Sequence, residues 1–225
     1  LDQVVPWGRS YDEYRRMFAV TDADLAGRIL GCGDGPASFN AEATRAGATV
    51  VSCDPIYRFT GPELRARIEA TRSTVVEQTR QNAHEFVWTD IPSVDALERL
   101  RLTAMERFLA DFPAGLRTGR YVPAALPVLP FEDESFDLAV CSHFLFLYSA
   151  HHDLAFHQAA IDELCRVARE VRVFPLVALG GARSPHLEPV VESCRAAGRQ
   201  ASVEAVAYEF QRGANQMLRV RSPRG

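Results

Sequence analysis

Apolar positions along the chain follow two alternating patterns, one typical of buried strands and one typical of amphipathic helices. Short apolar or β-branched runs predict strands at 29–30, 48–54, 121–125, 136–142 and 171–179. Apolar residues at helical spacing predict helices at 38–46, 154–168 and 187–197. Strands that alternate with helices in this way favour an α/β fold with a mostly parallel sheet and helices on both faces.

Two further apolar patterns predict helices outside this alternation. In residues 1–26 the segment SYDEYRRMFAV places aromatic residues at helical spacing behind Ser10, a capping residue type, and predicts an N-terminal helical cap. Residues 61–119 carry a helical pattern that is too long for one crossover helix. We expect a helical insertion after the second strand, with EFVWTDIP joining two helices. It acts either as a lid over a substrate or as an added helical layer.

The end of the chain predicts a different kind of strand pairing. Two alternating runs, at 202–210 and 216–221, flank the segment QRGAN. Residues 213–215 of that segment are turn-forming types, so they predict an antiparallel hairpin. The mostly parallel sheet is therefore expected to close with a C-terminal antiparallel hairpin.

The composition fits a single globular domain over residues 1–225 and limits its partners. Hydrophobic residues make up 47% of the chain and charged residues 24%, as in ordinary folded domains. The formal charge is −4 and every basic residue is arginine, which excludes Schiff-base chemistry on lysine. Because the arginines are dispersed among acids, we expect no nucleic-acid partner.

Cysteine usage and the apolar runs bear on the compartment. The five cysteines show no CxxC spacing, which argues against a disulfide framework and against a zinc site. No apolar run approaches the ~20 residues that span a bilayer, and the N-terminus lacks a signal-peptide pattern. We expect a cytoplasmic protein without a membrane span, and the patterns leave its oligomeric state open.

A glycine-rich turn and an acidic residue are the main candidates for ligand binding. The first strand runs into Gly31, Gly33 and Gly35, whose missing Cβ atoms let backbone approach a ligand, although an ordinary strand–helix turn is the alternative. Asp54 follows the turn by about 20 residues, at the end of the second strand, where a carboxylate can accept both ribose hydroxyls. Together they predict an adenosine-containing cofactor and leave S-adenosylmethionine (SAM) and NAD open.

Three segments resemble motifs of the class I SAM-dependent methyltransferases. They are ILGCGDG at 29–35, VVSCDP at 50–55 and LPFEDESFDLAVCSHFLF at 129–146. The resemblance implies a Rossmann-like, seven-stranded, mostly parallel sheet with a reversed final strand, and SAM as the cofactor. It implies that Gly31, Cys32 and Gly33 line the methionine part of SAM and that Asp54 binds the ribose. It further places Pro55 and Ile56 beside the adenine, and Ser142 and His143 beside the reactive methyl.

The chain departs from the family pattern at three places. Ile29 stands where the family often has an acid, and Ala125 where an Asp contacts the adenine. The segment REVRVFPL replaces a proline–glycine–glycine turn before the fifth strand. These departures keep open a catalytically silent SAM-fold binding protein. An NAD(P)-dependent oxidoreductase is a further alternative, but it would prefer GxGxxG, whereas Pro36 occupies the sixth position here.

Methyl transfer from SAM to an oxygen or nitrogen of a small-molecule acceptor is the predicted function. His143 is the candidate proton acceptor, and a role in orienting backbone or substrate is the alternative. Tyr11, Tyr14 and Phe144 are candidate substrate contacts, although the aromatic N-terminal residues equally suit a helix packed on the sheet. The histidines near Asp153 favour a helix start over a metal site, and Cys141 favours a core position over a nucleophile.

Overall fold

Seven strands form one sheet, and helices pack on both of its faces. The computed structural model describes residues 7–222. The strands are β1 (Arg28–Cys32), β2 (Thr49–Cys53), β3 (Tyr121–Val122), β4 (Phe136–Ser142), β5 (Ala168–Phe174), β6 (Gln200–Ala205) and β7 (Gln216–Arg221). Their order across the sheet is β3-β2-β1-β4-β5-β7-β6, and β7 is antiparallel to both neighbours. The predicted Rossmann-like sheet with its C-terminal hairpin is confirmed.

Helices precede β1 and occupy most of the connections between the strands. They are α1 (Tyr11–Met17), α2 (Asp22–Leu25), α3 (Phe39–Arg45), α4 (Gly61–Gln81), α5 (Val94–Arg117), α6 (Leu154–Val167) and α7 (Leu187–Ala196). Ser10 caps α1 in a capping box with Glu13, as its residue type predicts. Residues 1–6 of the predicted N-terminal cap lie outside the described residues. Within 7–222, none of the helices is long and apolar enough to cross a membrane.

Alternating side chains along the buried strands divide the core between the two faces of the sheet. In β1, Leu30 packs in a cluster with residues of α6 and α7. Its neighbour Ile29 packs on the opposite face with residues of α1, α3 and α5. Since successive side chains of a strand point to opposite faces, the continuous apolar run of β1 serves both layers. Asp153 accepts the N–H of Phe156 and caps α6, which agrees with the helix-start interpretation.

The predicted helical insertion after the second strand is present as α4 and α5. Thr60 begins α4 with a capping box, and Ser93 caps α5. A separate apolar cluster joins both helices to β3 and to the 3₁₀ turn at Pro55–Arg58. Its aromatic members are Tyr57, Phe108, Phe112 and Tyr121. This cluster fixes the insertion beside the β3 edge of the sheet.

Several predicted strand boundaries were wrong. The strand expected over 121–125 ends at Val122, and the strand expected over 171–179 runs from Ala168 to Phe174 because Pro175 has no N–H for the ladder. The hairpin is present, but its first strand ends at Ala205 rather than at 210. Its connection is therefore residues 206–215, because Tyr208 and Phe210 leave the ladder to pack in the core.

Candidate functional site

A cavity of ≈ 670 Å³ opens at the carboxyl ends of the parallel strands. Gly33 follows β1, Asp54 follows β2, and Ser142 ends β4, and all three line this cavity. The carboxyl edge is where open α/β sheets bind ligands, and the volume lies within the range of small-molecule sites. The cavity is therefore the candidate active site.

Most of the residues predicted for the site meet in this cavity. Those that line it are Tyr14, Cys32, Gly33, Gly35, Asp54, Pro55, Ile56, Ala125, Ser142, His143 and Phe144. Gly31 and Tyr11 do not line it. The ring of Tyr11 instead stacks on Phe39 with the centroids 6.0 Å apart. The structure thus brings the predicted set together, while the part that each residue plays toward a ligand stays a prediction.

The glycine turn has the geometry that brings backbone close to a ligand. Gly33 and Gly35 adopt positive φ angles of 68° and 53°, a region that glycine enters without steric penalty. A Cβ on Gly33 would lie 3.1 Å from the Cβ of Phe144. Glycine at position 33 therefore also allows close packing against Phe144. The N–H of Gly33 is held by the carbonyl of Cys53, which ties the turn to β2.

Asp54 points a buried carboxylate into the cavity. Its Oδ2 accepts the N–H of Gly35 at 2.9 Å, and its Oδ1 accepts the N–H of Ile56 at 2.9 Å. Burial raises the pKa of Asp54, while these two N–H groups act in the opposite direction. Each carboxylate oxygen can accept a further hydrogen bond. The residue is therefore oriented by backbone and still able to accept ribose hydroxyls.

Sequence reasoning missed a second buried acid, Asp34, inside the glycine turn. Its Oδ1 accepts the hydroxyl of Tyr14 at 2.8 Å, and its Oδ2 accepts that of Ser52 at 2.6 Å. A Cβ on Gly31 would lie 1.9 Å from Asp34 Oδ2. Gly31 therefore leaves room for this side chain. The only sequence signal was an acidic residue between glycines of a turn that follows a buried strand.

The environment of Asp34 favours its protonated form. Burial is the main cause, and the nearby charge of Asp54 adds to it, so the pKa rises to about 7 although Ser52 and Tyr14 donate hydrogen bonds. Because the pKa in the folded state lies above the usual value of 3.8, folding takes up a proton. The stability of the folded protein should therefore fall as the pH rises from about 4 to about 7.

Replacing Asp34 by asparagine is expected to remove this pH dependence. Between pH 5 and pH 8 the wild type should lose about 1 kcal/mol or more relative to Asp34→Asn, or about 2–4 °C in melting temperature. The neutral amide keeps the shape and does not become charged. Thermal melts across this pH range measure the difference, with Asp22→Asn on the exposed helix α2 as the control. Parallel curves for Asp34→Asn and wild type would contradict the assignment.

Arg101 is another polar residue of the cavity wall, and it forms a buried ion pair with Glu13. Oε2 of Glu13 accepts a hydrogen bond from Nη1 of Arg101 at 2.5 Å, and Oε1 accepts one from the hydroxyl of Tyr208 at 2.8 Å. Burial would raise the pKa of Glu13, but Arg101 outweighs it, and with help from Arg9 the pKa falls to about 2. The pair joins α1, α5 and the hairpin connection.

Helical spacing could have revealed Arg101, which the sequence analysis missed. It lies four residues after Leu97 and four before Met105, and both of those residues are buried. An arginine on the apolar face of a helix is rarely buried without a partner or a function. Arg9 also lines the cavity, and burial together with Arg101 lowers its pKa to about 10, so it remains charged at neutral pH.

His143 directly follows β4 and has an unusual backbone. Its φ is 49°, a left-handed conformation that is uncommon outside glycine and that clusters at functional sites. The ring atom Nδ1 of His143 lies 3.0 Å from Oγ of Ser142. The backbone N–H of His143 donates to the carbonyl of Phe174. Burial, followed by the charges of Arg9 and Arg101, holds the pKa of His143 well below its usual value. The imidazole is therefore neutral at neutral pH.

The helical insertion supplies one wall of the cavity. Gln78 and Thr79 of α4 and Leu97 of α5 line it together with Arg101. Aromatic side chains also line the cavity, namely Phe86 of the insertion together with Phe174, Tyr208 and Phe210. These residues would enclose a small apolar ligand. The interpretation of 61–119 as a lid stays a prediction.

Comparison with solved structures identifies the fold. A Burkholderia thailandensis 1,6-didemethyltoxoflavin-N1-methyltransferase, solved with bound 1,6-didemethyltoxoflavin and S-adenosylhomocysteine, matches with a TM-score of 0.50 at 13% identity. The match covers 94% of this chain and 79% of that one. The mitomycin 7-O-methyltransferase MmcR also matches with a TM-score of 0.50 at 13% identity, over 95% of this chain and 54% of that one. No family model matches the sequence.

The protein therefore has the class I SAM-dependent methyltransferase fold. It belongs to the same family as the uncharacterized protein MJ0045 of Methanocaldococcus jannaschii, to which it is 30% identical over 222 residues. The alignment covers 98% of this chain and 97% of that protein, so the two share the whole domain.

Proposed function

We propose that this protein binds SAM in the cavity and transfers its methyl group to an oxygen or nitrogen atom of a small-molecule acceptor. The observation that carries the proposal is the placement of the Gly33–Gly35 turn beside the Asp54 carboxylate in one cavity at the carboxyl edge of the sheet. The B. thailandensis neighbour, which has this fold and is solved with bound 1,6-didemethyltoxoflavin and S-adenosylhomocysteine, supports it.

The residues present fit the cofactor. Gly33 has no Cβ to obstruct the turn, and Cys32 and Gly35 line the cavity beside it, so this end suits the methionine part. Asp54 retains acceptor capacity for the ribose hydroxyls, with Pro55, Ile56 and Ala125 available to the adenine ring. When bound, SAM supplies an electrophilic methyl group.

The chain's own contribution to the reaction is orientation, exclusion of water and removal of a proton. Aromatic walls and the α4–α5 insertion enclose the acceptor, which favours an in-line approach to the methyl group. His143 is neutral, so its imidazole can accept a proton from a hydroxyl acceptor as the methyl transfers. An amine acceptor would not need this step.

Substituting Asp54 by alanine should weaken S-adenosylhomocysteine binding about thirtyfold, or about 2 kcal/mol, because two charge-assisted hydrogen bonds to ribose are lost. Isothermal calorimetry measures the affinity, which we expect to be micromolar for the wild type. Asp22→Ala is the matched control, since the side chain of Asp22 is 90% exposed on α2.

Two nucleosides that differ only in their ribose hydroxyls show whether Asp54→Ala removes the ribose contact or disturbs the glycine turn in general. Adenosine should bind the wild type more tightly than 2′,3′-dideoxyadenosine, and Asp54→Ala should abolish that preference. Equal affinity of wild type and Asp54→Ala for S-adenosylhomocysteine, or tighter binding of NAD than of S-adenosylhomocysteine, would exclude the proposed cofactor site.

A further inference from the structure

Three guanidinium nitrogens of arginines that line the cavity have no hydrogen-bond partner among residues 7–222. They are Nε of Arg9 and both Nε and Nη2 of Arg101, and all three are buried. Buried donors are nearly always paired, because an unpaired donor loses its bonds to water and gains nothing in return. Both side chains line the candidate active site. These donors therefore point to a ligand.

The free edge of Arg101 has the shape of a carboxylate receptor. The side chain is 1% exposed, and Nη1 is held by Glu13. Nε and Nη2 lie together on the other edge of the planar group, so their N–H bonds run side by side. Two parallel N–H donors match the two oxygens of a carboxylate and form the bidentate pair that arginine favours.

The net charge of the cluster formed by Arg9, Arg101 and Glu13 also indicates an anionic ligand. Glu13 is already used, because Oε2 accepts from Arg101 and from both the N–H and the hydroxyl of Ser10, while Oε1 accepts from Tyr208. Within the described part of the chain, Arg9 forms no salt bridge with an acidic residue. Two arginines and one glutamate leave the cluster with one surplus positive charge, which suits a monoanion.

We propose that the methyl acceptor carries a carboxylate and that Arg9 and Arg101 bind this group inside the cavity. The inference rests on the proposed function and adds the chemical class of the acceptor. The rings of Phe174, Tyr208 and Phe210 line the same cavity, so the body that carries the carboxylate is aromatic or otherwise apolar.

Acceptor binding would also assist the proposed base. Burial and the charges of Arg9 and Arg101 hold the pKa of His143 well below its usual value. A carboxylate bound between the arginines offsets their charge, so a proton on His143 becomes less unfavourable once the acceptor is in place. The contact between the carboxylate and the two arginines would then both position the acceptor and make His143 a stronger base.

Benzoate and its neutral counterpart benzamide test the proposal directly. Calorimetric titration of the full chain, saturated with S-adenosylhomocysteine, should give benzoate an affinity at least about tenfold above that of benzamide. Arg101→Met should remove that preference, and Arg9→Gln should reduce it. Arg107→Gln is the control, because Arg107 lies on the same helix but bonds to Glu42 at the surface.

The variant Glu13→Gln/Arg101→Met guards against loss of folding, because it neutralises both partners of the buried pair and strands neither of them as an unpaired charge. It should fold and also lack the preference for benzoate. Equal binding of the two probes to the wild type, no measurable binding of either, or a preference that survives in the double variant would overturn the proposal. A wild type that fails to bind S-adenosylhomocysteine would instead refute the proposed function itself.

The cofactor also carries a carboxylate, which the arginines could bind instead of the carboxylate of the acceptor. A third ligand distinguishes these two cases. 5′-Methylthioadenosine lacks the amino-acid part of S-adenosylhomocysteine. If Arg101→Met weakens both nucleosides to the same small extent while the benzoate preference disappears, the arginines serve the acceptor. If it weakens S-adenosylhomocysteine about tenfold or more and leaves 5′-methylthioadenosine unchanged, the arginines hold the cofactor and the proposal is overturned.

Discussion

Replacing Glu13 by alanine is expected to lower the free energy of unfolding by about 3–5 kcal/mol, since the change leaves Arg101 as an uncompensated buried charge. The hydroxyl of Tyr208 and the N–H of Ser10 lose their acceptor as well. Urea denaturation, followed by circular dichroism, measures the loss as a lower midpoint with an unchanged slope.

Two further variants separate the ion pair from simple packing. Glu13→Ala/Arg101→Met should recover part of the loss, because the second substitution removes the stranded charge. The pKa of Glu13 is lowered to about 2, so wild-type stability should fall as the pH drops from about 4.5 toward 2, and Glu13→Gln should lack this component. A loss below about 1 kcal/mol in Glu13→Ala would mean that the pair contributes no more than a surface contact.

His143→Ala is expected to lower kcat at least about a hundredfold with a hydroxyl acceptor, while S-adenosylhomocysteine affinity stays within a factor of about three. That separation is typical of a group that acts in the transition state. The measurement uses an acceptor found by screening hydroxybenzoic acids, and it compares kcat with calorimetric affinity. The wild-type kcat should also decline as the pH falls below the usual range of histidine, because only the neutral imidazole accepts the proton.

Backbone strain needs its own control at this position. Asparagine tolerates the left-handed conformation of His143 better than alanine does, so His143→Asn tests the proton transfer with less disturbance of the turn. His151→Ala, at an exposed position, is the matched histidine control. A nearly normal kcat in His143→Asn, or loss of cofactor binding in step with activity, would assign His143 a structural part.

The order of strands and helices could be predicted from the sequence because each element carries a local pattern. The βαβ alternation, the helical insertion and the closing hairpin all follow from apolar periodicity and turn residues. The end of β5 is set locally by Pro175, whereas the first hairpin strand ends early because a tertiary contact overrides the local pattern. Tyr208 has a strand-like neighbourhood, yet its hydroxyl bonds to Glu13 on α1 and draws the chain out of the ladder.

The candidate site was predictable at its Gly33–Asp54 end and not around Arg9 and Arg101. Gly33 and Asp54 lie at the ends of recognisable strands, so their convergence follows from parallel topology. Arg9, Arg101 and Tyr208 come from three segments with no shared motif, and only the folded chain shows that they meet. Asp34 is an intermediate case. Its place in the glycine turn could be predicted from the sequence, but its burial under Tyr14 could not.

The hydrogen bonds of Glu13 have a consequence for how the protein is made. Arg101 follows Glu13 by 88 residues in the chain, whereas Tyr208 follows it by 195 residues. Strand β7, which separates β5 from β6 in the sheet, is synthesised later still. The hydrogen-bond network of Glu13 therefore cannot be completed on the ribosome until Tyr208 has been synthesised, long after the residues of the Gly33–Asp54 end.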